Sequence, residues 1–168
     1  MAKKHATGAS SASTPATVAL ARAGISFAAR AYVHDPAVTD YGGEAAAALG
    51  VSPDLVFKTL LAEVDGQFVV AVVPVAGMLD LKALAASLGG KRAAMADPTT
   101  AERKTGYVLG GISPIGQRTR LTTVLDESAR ELDTVLVSGG RRGLDLELAP
   151  ADLQRATAAR WAPIARRS

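Results

Sequence analysis

Residues 56–75, VFKTLLAEVDGQFVVAVVPV, decide the fold because they contain two apolar runs rich in β-branched residues on either side of Asp65-Gly66. An Asp-Gly pair between two such runs is a strong signal for a two-residue β-hairpin turn, since that turn favours residues that tolerate a positive φ. The stretch therefore predicts two antiparallel strands, at 56–64 and 67–75, joined by a tight turn.

The segments around this hairpin predict both helices and strands. Capping residues, prolines and closing glycines indicate helices at 14–24, 43–49, 80–88, 97–105 and 150–160. Apolar runs, alternating or continuous, indicate further strands at 27–34, 91–95, 120–125, 134–138 and 144–148. A hairpin combined with helical crossovers predicts an α/β fold with a mixed β-sheet rather than a doubly wound parallel sheet.

The chain is expected to form one domain after a short leader. Residues 1–13, MAKKHATGASSAS, are small and polar without periodicity, which is typical of disorder, so the folded domain is predicted at 14–168. No apolar run reaches the length of a membrane-spanning helix, and the leader lacks the apolar core of a secretion signal. We therefore expect a cytoplasmic protein without membrane contact.

The composition excludes several kinds of site. Cysteine is absent, which rules out a protein thiol as nucleophile, a disulfide framework and a thiolate metal site. Of the two histidines, His5 lies in the leader, and the single imidazole left in the domain, His34, is too few for a zinc site. No metal and no other cofactor is predicted.

The charge distribution leaves the nature of a partner open. Lys and Arg number 19 against 16 Asp and Glu. The positive excess comes from residues near the two ends of the chain, namely Lys3, Lys4, Arg155, Arg160, Arg166 and Arg167. Basic ends suit phosphate backbones, but solvated charged tails are equally compatible with this pattern.

Two glycine-rich segments follow the hairpin: GGISPIGQ at 110–117 and SGGRRG at 138–143. Their glycines allow the backbone to bring N–H groups close to a ligand, although such loops also serve as simple turns. Lys58, inside an apolar run, must either face solvent at a sheet edge or serve a site, because burying an unpartnered ammonium is costly. Taken singly, Ser138 and Asp145 could be a turn residue and a solvent-facing carboxylate.

Taken together, these segments resemble the YbaK-type aminoacyl-tRNA deacylases, the free-standing relatives of the editing domain inserted in bacterial prolyl-tRNA synthetases. The resemblance extends over residues 14–164, with matching segments at 32–35, 43–46, 57–60, 95–97, 105–107, 110–117 and 137–140. It implies a mixed β-sheet that forms a partial barrel with flanking helices. It also implies hydrolytic removal of cysteine from mischarged proline tRNA, with prolyl-tRNA synthetase as a partner.

The resemblance implies the site residues as well. Lys58 matches the family's essential lysine, which is expected near the terminal phosphate and ribose of the tRNA acceptor end. Gly110 matches a pocket position, and both Gly110 and Gly111 are expected to offer backbone N–H groups to a developing oxyanion. The expected substrate-binding side chains are Tyr32, Tyr41, Thr59, Ser113, Ser138 and Asp145. Tyr41 stands where relatives often carry phenylalanine.

The chemistry that the resemblance implies fits this inventory of side chains. The cysteine thiol of the substrate attacks its own ester carbonyl, and the tRNA leaves as a cyclic thiolactone forms. Such a reaction requires no cysteine, histidine or metal from the protein, and enforced proximity can be worth an effective molarity on the order of 10⁵ M. The protein would mainly position the substrate.

Three alternatives remain open from the sequence. One is a hydrolase that uses Ser113 or Ser138 with His34 as the base, which requires the hydroxyl and the imidazole within hydrogen-bonding distance. A second is a non-catalytic module that binds tRNA ends or a synthetase. A third, within the same superfamily, clears alanine from proline tRNA. Replacing His34 by alanine separates the first from substrate-assisted chemistry, which should largely survive the change.

Overall fold

Short helices are interspersed among short strands in residues 13–167, the part of the chain that the computed structural model describes. The described helices are α1 (Pro15–Ala23), α2 (Tyr41–Leu49), α3 (Leu81–Ser87), α4 (Pro98–Thr105) and α5 (Pro150–Thr157), with a 3₁₀ helix at Glu127–Glu131. The described strands are β1 (Ala28–Ala31), β2 (Phe57–Val64), β3 (Gln67–Pro74), β4 (Gly77–Leu79), β5 (Ala93–Met95), β6 (Thr122–Asp126), β7 (Val135–Arg141), β8 (Leu144–Leu148), β9 (Arg160–Ala162) and β10 (Ala165–Arg167). None of the described helices is both long and apolar enough to cross a membrane.

Hydrogen bonding divides the strands among three sheets. The largest has the order β5-β2-β3-β6-β9, in which β2 and β3 form the antiparallel hairpin predicted from the sequence, whereas β3–β6 and β6–β9 pair in parallel. A second, antiparallel sheet has the order β1-β8-β7, and β10 pairs with β4. A parallel bridge between Val56 and Leu136 joins the two larger sheets just before β2. The predicted mixed α/β fold is therefore confirmed.

Aspartate caps fix the starts of three α-helices. Asp80 and Asp97 accept hydrogen bonds from N–H groups in the first turns of α3 and α4, as the sequence predicts. In α2 the cap is Asp40, whose carboxylate accepts from the N–H of Gly43. Helix α2 therefore begins at Tyr41, earlier than the predicted residue 43, and this places the Tyr41 side chain on the first turn of the helix.

Several boundaries and three short strands differ from the sequence-based expectations. The strands β4, β9 and β10 are not among the predicted elements, because they are held by pairing with distant segments, as Ala165 with Leu79. Helix α5 ends at Thr157 rather than near 160, since Ala158 adopts a left-handed conformation with φ 54°. The predicted leader at 1–13 lies outside the described residues except for Ser13.

Apolar side chains cover both faces of strand β3. Val70 and Val72 belong to a cluster that extends beneath α1 and the β1-β8-β7 sheet, whereas Val69 and Val73 belong to a second cluster that contains Leu84 of α3. Burying one such side chain is worth about 1.5–3 kcal/mol, so these two clusters stabilise the fold substantially. They hold β2, the neighbour of β3, in a fixed position beside the second sheet.

Candidate active site

A cavity of about 300 Å³ lies where the two larger sheets meet, next to the first turn of α2. It is bounded by the start of β2, by one residue each of β7 and β8, and by the loop at 109–112. This volume is at the small end of the range for small-molecule sites, roughly 300–1,000 Å³. Seven of the predicted site residues line the cavity, namely Tyr32, Tyr41, Lys58, Thr59, Gly110, Ser138 and Asp145. Gly111 and Ser113 are outside the lining.

Lys58 brings a cation to this cavity. The residue lies in β2, opposite Val73 of β3, and it is half-buried. Within residues 13–167, nothing forms an ion pair or hydrogen bond with its ammonium group. An unpaired ammonium partly withdrawn from water is unfavourable, so this group is available to an anionic or polar group of a ligand. The alternative of a fully solvated lysine at a sheet edge does not describe this position.

Asp145 brings a buried carboxyl to the same cavity. It lies on β8 between Arg30 of β1 and Ser138 of β7, and it is only 5% exposed. Burial raises the pKa of Asp145 to about 6, and the positive charge of Arg30 opposes this rise only in part. The Arg30 guanidinium is itself engaged in an ion pair with Glu147. The interpretation of Asp145 as a solvent-facing carboxylate is therefore wrong, because the cavity wall and two neighbouring strands cover it.

Two hydroxyl groups add hydrogen-bonding capacity. The Thr59 Oγ1 atom is buried without a hydrogen-bond partner among the described residues. An unsatisfied buried hydroxyl costs about 1–3 kcal/mol, which a ligand acceptor could recover. The Tyr32 phenol stays protonated, because burial, together with the charges of Asp145 and Glu44, raises the pKa of Tyr32 to about 12. Strand β1 ends at Ala31 rather than at the predicted residue 34, so Tyr32 lies just after the strand.

The loop that begins at Gly110 passes close under the rim of the cavity. Gly110 has a φ of 83°, and a Cβ atom built on it would lie 2.7 Å from ring atoms of Tyr41, so a side chain has no room here. Its N–H has no acceptor within the described part of the chain. The N–H of Gly111 differs, because it donates to the carbonyl oxygen of Val108 at 2.8 Å. Of the two expected oxyanion donors, only Gly110 therefore has an available N–H.

Ser113 stabilises this loop from the inside. Its side chain is fully buried, and its hydroxyl oxygen accepts from the N–H of Ile115 at 3.2 Å. The Tyr107 hydroxyl donates to the carbonyl oxygen of the same Ile115 at 2.6 Å. These contacts hold the loop in shape and leave the Ser113 hydroxyl without access to the cavity.

His34 forms its described hydrogen bond with Glu44 and not with either serine. Its Nδ1 atom lies 2.7 Å from a carboxylate oxygen of Glu44, whose other oxygen accepts from the N–H of Asp35. These hydrogen bonds lower the pKa of Glu44. The Ser138 hydroxyl accepts from the N–H of Gly140, and neither serine forms a hydrogen bond with His34 in the described structure. The serine–histidine alternative therefore lacks its geometry. Instead, the hydrogen bond between His34 and Glu44 ties the segment after β1 to α2.

The lining can bind and orient a small polar molecule. It offers one ammonium, one buried carboxyl, four hydroxyl-bearing side chains besides Tyr41 and one available backbone N–H, from Lys58, Asp145, Tyr32, Thr39, Thr59, Ser138 and Gly110. Within residues 13–167, no group of three or more His, Asp or Glu side chains is arranged to hold a metal ion. The donors are suited to stabilising negative charge that develops on a carbonyl oxygen.

One contributor to this site, Arg142, is absent from the sequence-based set. Its guanidinium stacks over Tyr41, and its Nε–H donates to the carbonyl oxygen of Leu109. The only signal in the sequence is its place in the glycine-rich segment 138–143. Its contacts join segments that are distant in the chain, so local patterns do not reveal them.

Known proteins resemble this chain in sequence. The aminoacyl-tRNA editing domain family matches residues 35–156, a range that contains every predicted site residue except Tyr32. A candidate Cys-tRNA(Pro)/Cys-tRNA(Cys) deacylase of Enterococcus faecalis, EbsC, is 39% identical over 120 residues, which cover 71% of this chain and 73% of the relative. The multifunctional Ser/Thr-tRNA deacylase ProXp-y of Escherichia coli is 32% identical over 103 residues, which cover 58% of this chain and 62% of that protein.

Solved structures share the fold. A candidate trans-editing enzyme for prolyl-tRNA synthetase superimposes with a TM-score of 0.77 and 27% identity, over 92% of this chain and 98% of the other. The crystal structure of a protein described only as hypothetical gives a TM-score of 0.82 at 27% identity, over 91% of this chain and 100% of the other.

These matches confirm the family and the enzyme class that the sequence motifs indicate, an aminoacyl-tRNA deacylase. The family range includes α2, the β2–β3 hairpin, the loop at 109–112 and the β7–β8 hairpin, which supply most of the cavity lining. From its sequence and its fold, this chain belongs to the aminoacyl-tRNA editing domain family.

Proposed function

We propose that this chain acts in trans to remove cysteine from mischarged Cys-tRNA(Pro), with the thiol of the substrate as the nucleophile. The composition of the cavity carries the proposal: a cation, a carboxyl and hydroxyl groups line it, and the chain contains no cysteine. The described serine hydroxyls lack a histidine base, which favours a nucleophile supplied by the substrate. The resemblance to EbsC supports the same substrate class.

Each lining group has a role in this proposal. Lys58 binds the terminal phosphate or a ribose oxygen of the acceptor end, and the hydroxyls of Thr59 and Tyr32 form hydrogen bonds with the ribose and the ester. The Gly110 N–H stabilises the oxyanion that develops on the ester carbonyl. The Asp145 carboxylate binds the α-ammonium group of cysteine, which compensates the negative charge that burial makes costly.

The reaction balances without a protein nucleophile. The substrate sulfur forms a bond to the ester carbonyl carbon, and the bond between that carbon and the ribose oxygen breaks. The thiol proton ends on the ribose hydroxyl, and cysteine leaves as a four-membered thiolactone. The cavity holds sulfur and carbonyl carbon close together, which is where most of the rate enhancement arises.

A second candidate is the removal of serine or threonine. The observation that favours it is the resemblance to the Ser/Thr-tRNA deacylase of Escherichia coli, although this match covers a smaller share of each protein than the match to EbsC. In that case water would attack the ester, because an alcohol is a far poorer nucleophile than a thiol.

Deacylation rates across a panel of charged tRNAs separate these functions. A cysteine thiol has a pKa near ~8.5 and is partly ionised at neutral pH, so Cys-tRNA(Pro) should be cleared roughly 100-fold faster than Ser-tRNA(Pro). Ala-tRNA(Pro), which has no nucleophilic side chain, should be cleared as slowly as Ser-tRNA(Pro). The panel should include Cys-tRNA(Cys), and each rate should be measured with and without prolyl-tRNA synthetase, the partner we propose. Clearance of serine, threonine or alanine as fast as cysteine would contradict the proposal.

A further inference from the structure

Arg142 occupies the turn between β7 and β8, where its side chain makes two defined contacts. The guanidinium carbon lies 5.1 Å from the centre of the Tyr41 ring, within the range of a cation–π interaction. Its Nε–H donates to the carbonyl oxygen of Leu109 at 2.8 Å. An exposed arginine with one planar face stacked and one N–H already bonded is held in a defined orientation.

These contacts bring three parts of the cavity rim together. Tyr41 belongs to α2, Leu109 to the loop at 109–112, and Arg142 to the β7–β8 turn. A Cβ atom built on Gly110 would lie 2.9 Å from the Arg142 Nε atom, so the loop backbone lies directly against the stacked pair. Arg142 therefore fixes the loop that carries the available N–H of Gly110.

The terminal nitrogens of Arg142 are not used by these contacts. Among residues 13–167, no carboxylate or carbonyl oxygen accepts from Nη1 or Nη2. Because the residue is exposed and contacts two residues of the cavity lining, Tyr41 and Leu109, this edge of the guanidinium is available to a ligand near the cavity. Two parallel N–H groups with a positive charge match the geometry of a phosphate, and RNA presents phosphates at regular spacing.

We propose that Arg142 binds a backbone phosphate of the tRNA 3′ end and, through its Nε–H, keeps the Gly110 loop in position. The inference rests on the proposed function for its ligand class but not on the identity of the amino acid removed. Lys58 inside the cavity and Arg142 at its rim would then hold the acceptor end at two points. The neighbouring Arg141, the last residue of β7, has the same charge, yet its side chain forms no hydrogen bond or ion pair within residues 13–167, which makes it a matched control.

Binding of uncharged proline tRNA, measured by fluorescence anisotropy over a range of salt concentrations, tests the phosphate contact without any reaction. Arg142→Ala should weaken binding by about 10-fold. It should also make the negative slope of the logarithm of the association constant against the logarithm of the salt concentration shallower by about 1, which corresponds to the loss of one phosphate contact. Arg142→Lys should restore the slope, because it retains the charge. Arg141→Ala should change the slope by less than half as much.

Steady-state kinetics test the positioning part. Arg142→Lys should leave kcat lowered even where binding recovers, since an ammonium has no Nε–H to hold Leu109 and no planar face to stack on Tyr41. An unchanged salt slope in Arg142→Ala, an equal loss in Arg141→Ala, or wild-type kcat in Arg142→Lys would overturn the inference.

The inference and the proposed function fail in different ways. If the wild-type protein clears another amino acid while Arg142→Ala still lowers the salt slope, the proposed substrate is wrong and the inference stands. If cysteine is cleared as proposed but the salt slope does not depend on Arg142, the inference about Arg142 is wrong and the proposed function stands. A wild-type protein that binds no tRNA would overturn the inference as well.

Discussion

Replacing Lys58 by alanine is expected to lower kcat/KM for Cys-tRNA(Pro) by about 100-fold while the protein remains folded. A charge-assisted hydrogen bond to a phosphate or ribose oxygen is worth up to about 3 kcal/mol, which corresponds to this factor. The fold should tolerate the change, because the ammonium has no partner within residues 13–167 to lose. Deacylation kinetics and a thermal melt on the same preparation provide both readings.

Two further variants define what the lysine contributes. Lys58→Arg should recover activity only in part, since a planar guanidinium replaces a compact charge in a small cavity. Lys82→Ala, which removes an exposed lysine from α3, should leave the rate unchanged. Near-normal deacylation by Lys58→Ala would show that Lys58 has no role at the site.

Replacing Asp145 by asparagine is expected to stabilise the protein above pH 7 and to reduce its activity. The folded state raises the pKa of Asp145 from 3.8 to about 6, so it holds the proton more tightly than the unfolded chain. Stability therefore falls as pH rises between these values, and above them the ionised carboxylate costs the folded state on the order of 2–3 kcal/mol. Asparagine removes this cost, although its amide also needs hydrogen-bond partners.

The pH dependence is the sharpest sign of this effect. In urea unfolding, Asp145→Asn should be more stable than the wild type at pH 8, and the difference should shrink as pH falls below 6, because the folded carboxyl then becomes protonated while the unfolded one, with its pKa of 3.8, is still largely ionised. Asp133→Asn, a change at an exposed carboxylate, should show no such trend. A destabilised Asp145→Asn at pH 8 would show that favourable contacts hold the carboxylate. The deacylation rate should fall, because the α-ammonium of the substrate loses its counter-charge.

The elements that rest on local chemistry could be predicted from the sequence. The turn at Asp65-Gly66 has φ values of 48° and 85°, which is why this pair marks the β2–β3 hairpin so clearly. Helices α3 and α4 begin where Asp80 and Asp97 cap them. By contrast, β4 and β10 are too short to form alone, and their pairing links a segment near the middle of the described chain to one at its end.

The site shows the same division between local and distant contacts. Seven predicted residues line the cavity. They could be predicted because the family resemblance carries three-dimensional information that periodicity does not. The burial of Asp145 depends on β1 and β7 covering it from both sides, so alternation along β8 alone suggests the opposite. The N–H of Gly111 is taken by Val108, and Arg142 stacks on Tyr41, contacts that only the folded loop creates.

The most direct test of the account is the fate of S-methylcysteinyl-tRNA(Pro). Methylation blocks the thiol but keeps the size and shape of the substrate close to those of cysteine, so the analogue should still enter the cavity and inhibit clearance of Cys-tRNA(Pro) competitively. If the substrate thiol is the nucleophile, the methylated tRNA should lose its amino acid no faster than it does without the protein. Rapid clearance of S-methylcysteinyl-tRNA(Pro), together with competitive inhibition, would contradict thiol attack and point to water or a protein group as the nucleophile.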